Sequence, residues 1–201
     1  MTDELAARHE AAAIARSLAD GDPAPMNALF ADIGCPPPSL IWNPRPEDLE
    51  LEPLRFLLDH WNQRRGARPM PAYREIDPLD LRPVLGSVSI VEVADGGTDP
   101  VYRVYGTSTA ARMGVEMTGR SLWTAPVGLK MRIFHVAAYL AVHLRGEPLF
   151  THHVTPTRRP VGQSQRIILP LANGGARPTH LLVGIIPGDA RPESIDDPQP
   201  H

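Results

Sequence analysis

The chain has 201 residues, 42% of them hydrophobic and 21% charged, with a formal net charge of −3. That is ordinary core-forming composition at a length that suits one domain with tails. The acidic balance argues against a nucleic-acid partner, because phosphate binding needs concentrated Lys and Arg.

Aromatic residues make up only 5% of the chain, so aliphatic and alanine side chains must fill much of the core. Cys35 is the only cysteine, which leaves no internal disulfide and no cysteine-built zinc site. The start, MTDELAARHEAAAIARSLAD, is charged throughout and is unlike a secretory signal. No run of about 18 apolar residues is present to span a membrane. The expected location is cytoplasmic, with no membrane partner.

Residues 3–19 have a helical pattern rich in Ala, with Leu5, Ile14 and Leu18 as the large apolar groups. Residues 21–46 carry seven prolines (23, 25, 36, 37, 38, 44 and 46) and read as a stiff linker without regular structure. The folded body is expected over 47–187, with a disordered tail at 188–201. It opens with a helix in which Leu54, Leu57, Leu58 and Trp61 recur at helical spacing, Pro53 fits the first turn and Gly66 the end. Asp77-Pro78 reads as a further helix start.

Strands follow at 87–93 and 101–105, with Asp95-Gly96-Gly97 as a turn between them. Short helical pieces fill 108–125, and a long helix fits 127–145 before Gly146. Three more strands fit 149–155, 164–171 and 179–186, the last two joined by Asn173-Gly174-Gly175. The fold class is α+β, a five-stranded antiparallel sheet with a long covering helix and flanking N-terminal helices.

This order is the order of the PAS fold. LDHWNQRRG, MPAYREIDPLDLRPVLGSVSIVEV, YRVYGTSTAARMGVEMTGRSL and IILPLANGG resemble a proteobacterial PAS domain family of mostly uncharacterised proteins. The most specific matches are Asp77-Pro78, the YRVYGT strand end, Thr118-Gly119-Arg120 and Leu169-Pro170-Leu171. The resemblance implies a cavity between the sheet and the long helix, and no reaction. Gly106 and Gly119 are expected to permit backbone angles closed to other residues, and Arg103 and Arg120 to hold loops.

Candidate ligand contacts are the larger side chains in the segments around such a cavity: Tyr105, Met113, Trp123, Met131, Phe134 and His143. On the long helix, Leu129, Ile133, Val136, Ala137, Leu140 and Leu144 share one face, with His143 at its edge and His135 pointing nearly the opposite way. Some PAS sensors hold haem through a histidine on this helix, which makes His143 the candidate for that chemistry. A helix-end histidine packed near the C-terminal dipole is the plainer reading. No CxxCH motif is present for covalent haem, and the domain has no cysteine for a flavin adduct.

His152 and His153 lie on a strand and face opposite sides, so they cannot pair on one metal. No HExxH, GxSxG, P-loop or GxGxxG motif occurs. Arg158 and Arg159 read as a solvated turn. The chain is expected to be a non-catalytic sensory module, with no cofactor or metal, binding an apolar or amphipathic small molecule. A haem-binding sensor and an enzyme with a hydrophobic pocket remain as alternatives. Its expected partners are a second copy, paired through the apolar stripes of 3–19 and 53–65, and a downstream signalling protein.

Overall fold

The computed structural model describes residues 2–93, 97, 99–155, 162–175 and 177–187. In chain order the main elements are α1 (Thr2–Ala19), α2 (Ala24–Ala31), β1 (Ser39–Trp42), α3 (Glu52–Arg65), β2 (Val88–Glu92) and β3 (Val101–Val104). Then come α4 (Thr107–Met113), α5 (Leu129–Arg145), β4 (Leu149–Thr155), β5 (Gly162–Ala172) and β6 (Pro178–Pro187). The strands form one sheet in the order β1-β4-β5-β6-β2-β3, antiparallel throughout.

The five strands read from the sequence are present, and β1 adds a sixth. It comes from the proline-rich segment, where Ser39, Leu40, Ile41 and Trp42 pair with His152, Thr151, Phe150 and Leu149. The same segment also contains α2, whose Pro23 and Pro25 sit at the start of the helix, where a missing N–H is tolerated. Met26, Leu29 and Phe30 are then buried. Proline count alone therefore misread 21–46: its prolines cluster at element ends and leave two short elements between them.

Both faces of the sheet are covered. On one side α5 packs on Val91, Leu149, Ile168, Leu181, Val183 and Ile185. On the other, α3 packs on Val88, Ile90, Phe150, Ile167, Leu169, Leu171 and Leu182. Two-sided burial explains why β5 reads as a continuous apolar run rather than an alternating one. The indole Nε1 of Trp61 donates to the carbonyl oxygen of Pro170 at 2.8 Å and fixes α3 against β5. A Cβ at Gly184 would stand 2.4 Å from Leu57 Cδ1 and 3.1 Å from Leu54 Cδ2, so glycine here lets the α3 leucines reach the sheet without shifting.

A third helical layer lies outside α5. Ala7, Ala11, Ile14, Ala15 and Leu18 of α1 are buried in the same core cluster as α5. Alanine at these positions lets the two helices approach closely. Lys130 on α5 ties the layer together through Glu10 at 3.0 Å and Asp32 at 3.2 Å. The stripes on α1 and α3 that were expected to pair two copies are thus consumed inside one chain.

Other details also differ from the sequence reading. Asp77-Pro78 begins a run of turns, in which the Asp77 carboxylate accepts from the Leu79 N–H, and it leads into a 3-10 turn at Leu85–Ser87 rather than an α-helix. Gly119 does adopt a positive φ, 77°. Gly106 has an ordinary φ of −60°; it is needed because a Cβ there would lie 2.4 Å from the Gly86 carbonyl oxygen. Arg103 pairs with Glu92 on the neighbouring strand. The turn at 94–96, Arg158 and Arg159, and the tail from 188 lie outside the described residues.

Candidate ligand-binding site

Strand alternation aims one set of side chains at α5. On β4 these are Leu149, Thr151 and His153, and on β5 Arg166 and Ile168. Thr151 and Arg166 are direct cross-strand partners, so their side chains meet on this face. Above them, His135 and Tyr139 are four residues apart on α5 and share one side of the helix.

Arg166 is only 4% exposed. Its Nη2 lies 3.2 Å from His135 Nε2. A guanidinium only donates, so Nε2 accepts and the neutral His135 ring carries its proton on Nδ1. The guanidinium also stands 5.7 Å from the centre of the Tyr139 ring. Its Nε and Nη1 are buried and have no hydrogen-bond acceptor. Among the described residues no carboxylate lies within 4.0 Å of it.

The neighbours are under-satisfied too. His153 Nδ1, Thr151 Oγ1 and the Tyr139 hydroxyl are buried without a hydrogen bond. Tyr102 is nevertheless near enough to the Tyr139 hydroxyl for it to help raise the Tyr102 phenol. The walls are aromatic. Phe134 stands 4.6 Å from the His153 ring and 5.0 Å from Phe30 of α2, centre to centre. His135 and His153 are 6.0 Å apart.

Electrostatics follow from burial beside one cation. Burial, then Arg166, then His152 push His153 down to about 3. Burial, then Arg166 and His153, hold His135 well below the usual imidazole range. Both rings are neutral near pH 7. Burial raises Tyr105 to about 12 and also raises Tyr102 well above the usual phenol range, with Tyr139 adding to both. The cluster therefore offers one fixed positive charge, neutral polar groups and apolar walls.

The family model for the PAS domain matches residues 49–173, more than half of the chain. This chain belongs to the PAS domain family. A solved structure titled "Structure of an RNA-binding Light-Oxygen-Voltage Receptor" is similar at 15% identity and a TM-score of 0.38, over 81% of this chain. The chain spans 42% of that receptor's length. No curated protein matches.

The six candidates read from the sequence do not converge within this PAS domain. Phe134 forms the aromatic wall just described, and Tyr105, buried at 4.8 Å from Tyr102, lies within reach of the Arg166 charge. Met131 is buried in the core around α5. Trp123 is buried under the Arg8 guanidinium, 5.1 Å from its ring centre. Met113 is at the surface of α4. His143 is buried at the far end of α5, where Nδ1 donates to the Pro178 carbonyl at 2.7 Å. That is eight residues, about 12 Å of helix rise, beyond His135.

His135, His153, Thr151, Tyr139 and Arg166 escaped the sequence reading. The helical wheel turned His135 away from the presumed core side. That side was ambiguous because α5 is buried by the sheet on one flank and by α1 on another, while Leu129 and Leu144, assigned to the core face, are 41% and 44% exposed. One usable signal was Arg166, a cation two residues before Ile168 and so in phase with it along the strand. Two surface clefts, about 350 Å³ beside Arg8 and Arg132 and about 270 Å³ beside Trp61 and Arg65, contain none of the cluster residues.

Proposed function

We propose that the chain is a sensory PAS module without catalytic activity that binds an amphipathic small molecule between α5 and the sheet and reports its presence to a downstream signalling protein. The observation that carries this reading is the Arg166 cluster. Unpartnered buried donors are rare in folded proteins, because each costs about 1–3 kcal/mol unless something satisfies it. A ligand with a polar end and an apolar body would fit donors at one end and the Phe30–Phe134 wall beside them. The PAS fold supports a sensory role, and neutral histidines held apart by geometry offer no evident nucleophile and base pair.

Native mass spectrometry of the purified full chain tests this. A bound organic molecule that is released on denaturation is expected, and its loss in a Phe134→Ala protein that still folds would place it here. A chain that is empty from several expression hosts, and binds no member of a metabolite library, would sink the reading.

Homodimerisation belongs to the same proposal, on a surface other than the one first expected. With the α1 and α3 stripes buried, the exposed apolar groups include Leu85, Val104 and Met113 around edge strand β3 and α4. The backbone of residues 119–122 already bonds the outer edge of β3, so two copies would pair through these apolar side chains rather than by adding a strand. Sedimentation at micromolar concentration should give a dimer mass that Val104→Lys reduces to the monomer; a monomer at every concentration refutes it.

A further inference from the structure

We propose that the molecule held at the Arg166 cluster is a small organic carboxylate, its charged end on the guanidinium and its apolar body against Phe30 and Phe134. This rests on the sensory reading above and narrows it to a ligand class. The geometry sets the charge first. Arg166 sits under α5 with Nε and Nη1 unbound and no carboxylate of the described chain within 4.0 Å. A buried cation without a partner is costly, and an arginine fork is best matched by a carboxylate or a phosphate.

The surroundings decide between those two. Thr151 faces Arg166 across the β4–β5 ladder, and the Tyr139 ring lies 5.7 Å from the guanidinium, so two buried hydroxyl-bearing side chains stand beside it. His135 accepts from Arg166 and adds no charge. The whole constellation thus carries one positive charge. A carboxylate balances it. A phosphate, largely or partly a dianion at neutral pH, would have either to take up a proton or to leave an uncompensated negative charge among Phe30, Phe134 and Ile168, where the low dielectric makes it expensive; a carboxylate needs neither. Arg166 lies between the sheet and α5, and Phe30, from the N-terminal segment, packs edge-on against Phe134 beside it.

The test is calorimetric titration of the full chain, unfolded and refolded to strip any bound molecule. The probes are sodium butyrate and sodium benzoate, their neutral amides, and inorganic phosphate, all at one ionic strength. At least one carboxylate should bind tenfold or more tighter than its amide and than phosphate. Arg166→Gln should weaken that binding at least tenfold, as expected for loss of a charge-assisted donor. Tyr139→Phe and Thr151→Val keep shape and charge and should each weaken it several-fold. If the Arg166 variant does not fold, these two decide, and unchanged affinity in both overturns the proposal.

Amide binding equal to acid binding, or a neutral compound recovered from the protein and displaced by Phe134→Ala, overturns the carboxylate while leaving the sensory reading in place. Phosphate binding as tight as the carboxylate overturns the class. No recovered compound and no binding of any probe removes both.

Discussion

His153 sets an acid limit on this fold. Its imidazole is held to about 3 by burial and by Arg166, whereas an unfolded chain protonates it near the ordinary value of 6.5. Between those values the unfolded state takes up a proton that the native state refuses. Stability from this group is thus complete above about pH 6.5 and falls as pH drops toward 3, by up to roughly 1.4 kcal/mol per pH unit. His135, lowered in the same direction, adds to the slope. Urea midpoints of wild type and His153→Gln across pH 7 to 4 should converge toward acid; parallel curves would show that His153 is not buried neutral. His143 differs in kind, since its ring bonds the Pro178 carbonyl. His143→Ala should lower the melting temperature and leave ligand affinity unchanged, and a loss of affinity in the folded variant would return it to the site. None of this was legible from residue type, because three histidines on two elements acquire their roles from what faces them.

At the scale of elements, the unexpected part is the packing of the N-terminal segment. Phe30 is fully buried, edge-on to Phe134 at 5.0 Å, on a helix placed between prolines. Phe30→Ala should cost about 3–5 kcal/mol, typical for a fully buried aromatic ring. A cost below about 1 kcal/mol in a denaturant titration would mean that α2 does not dock. The α3 anchor is a single bond to a buried carbonyl. Trp61→Phe keeps most of the ring's apolar contact and strands the Pro170 oxygen, so about 1–3 kcal/mol should be lost. Gly106 marks a close crossing of two backbones. Gly106→Ala must push the backbone at Gly86 away, and overpacking of this kind costs about 1–3 kcal/mol. The helix at 52–65, the long helix and all five family strands were readable because periodicity and turn residues are local properties. Strand β1 was not, since Ser39–Trp42 is short and extended and gains its hydrogen bonds only from β4, 107 or more positions later in the chain.

The whole molecule is layered as α1 on α5 on sheet on α3. Residues 2–46 are structural in this arrangement, since they supply a strand, a wall of the candidate site and the cover of α5. Hydrogen exchange on the full chain should find the amides of Ala11–Leu18 protected to a degree similar to those of Ile133–Val142, because the two helices share one core. Fast exchange in α1 alone would return it to the role of a loose appendage. The sequence by itself determined the fold class, the order of the family elements and the absence, among the described residues, of a helix long and apolar enough to cross a membrane. Those follow from hydrophobic period, turn chemistry and composition, which neighbours along the chain decide. Only the tertiary structure decided which side of α5 meets the sheet, that the proline-rich segment folds back on the body, and that Arg166, His135, His153, Thr151 and Tyr139 meet. A helix covered on two flanks and a sheet covered on both faces erase the one-sided pattern that would reveal direction. A buried cation becomes visible as a site only when the groups around it are found to lack its counter-charge.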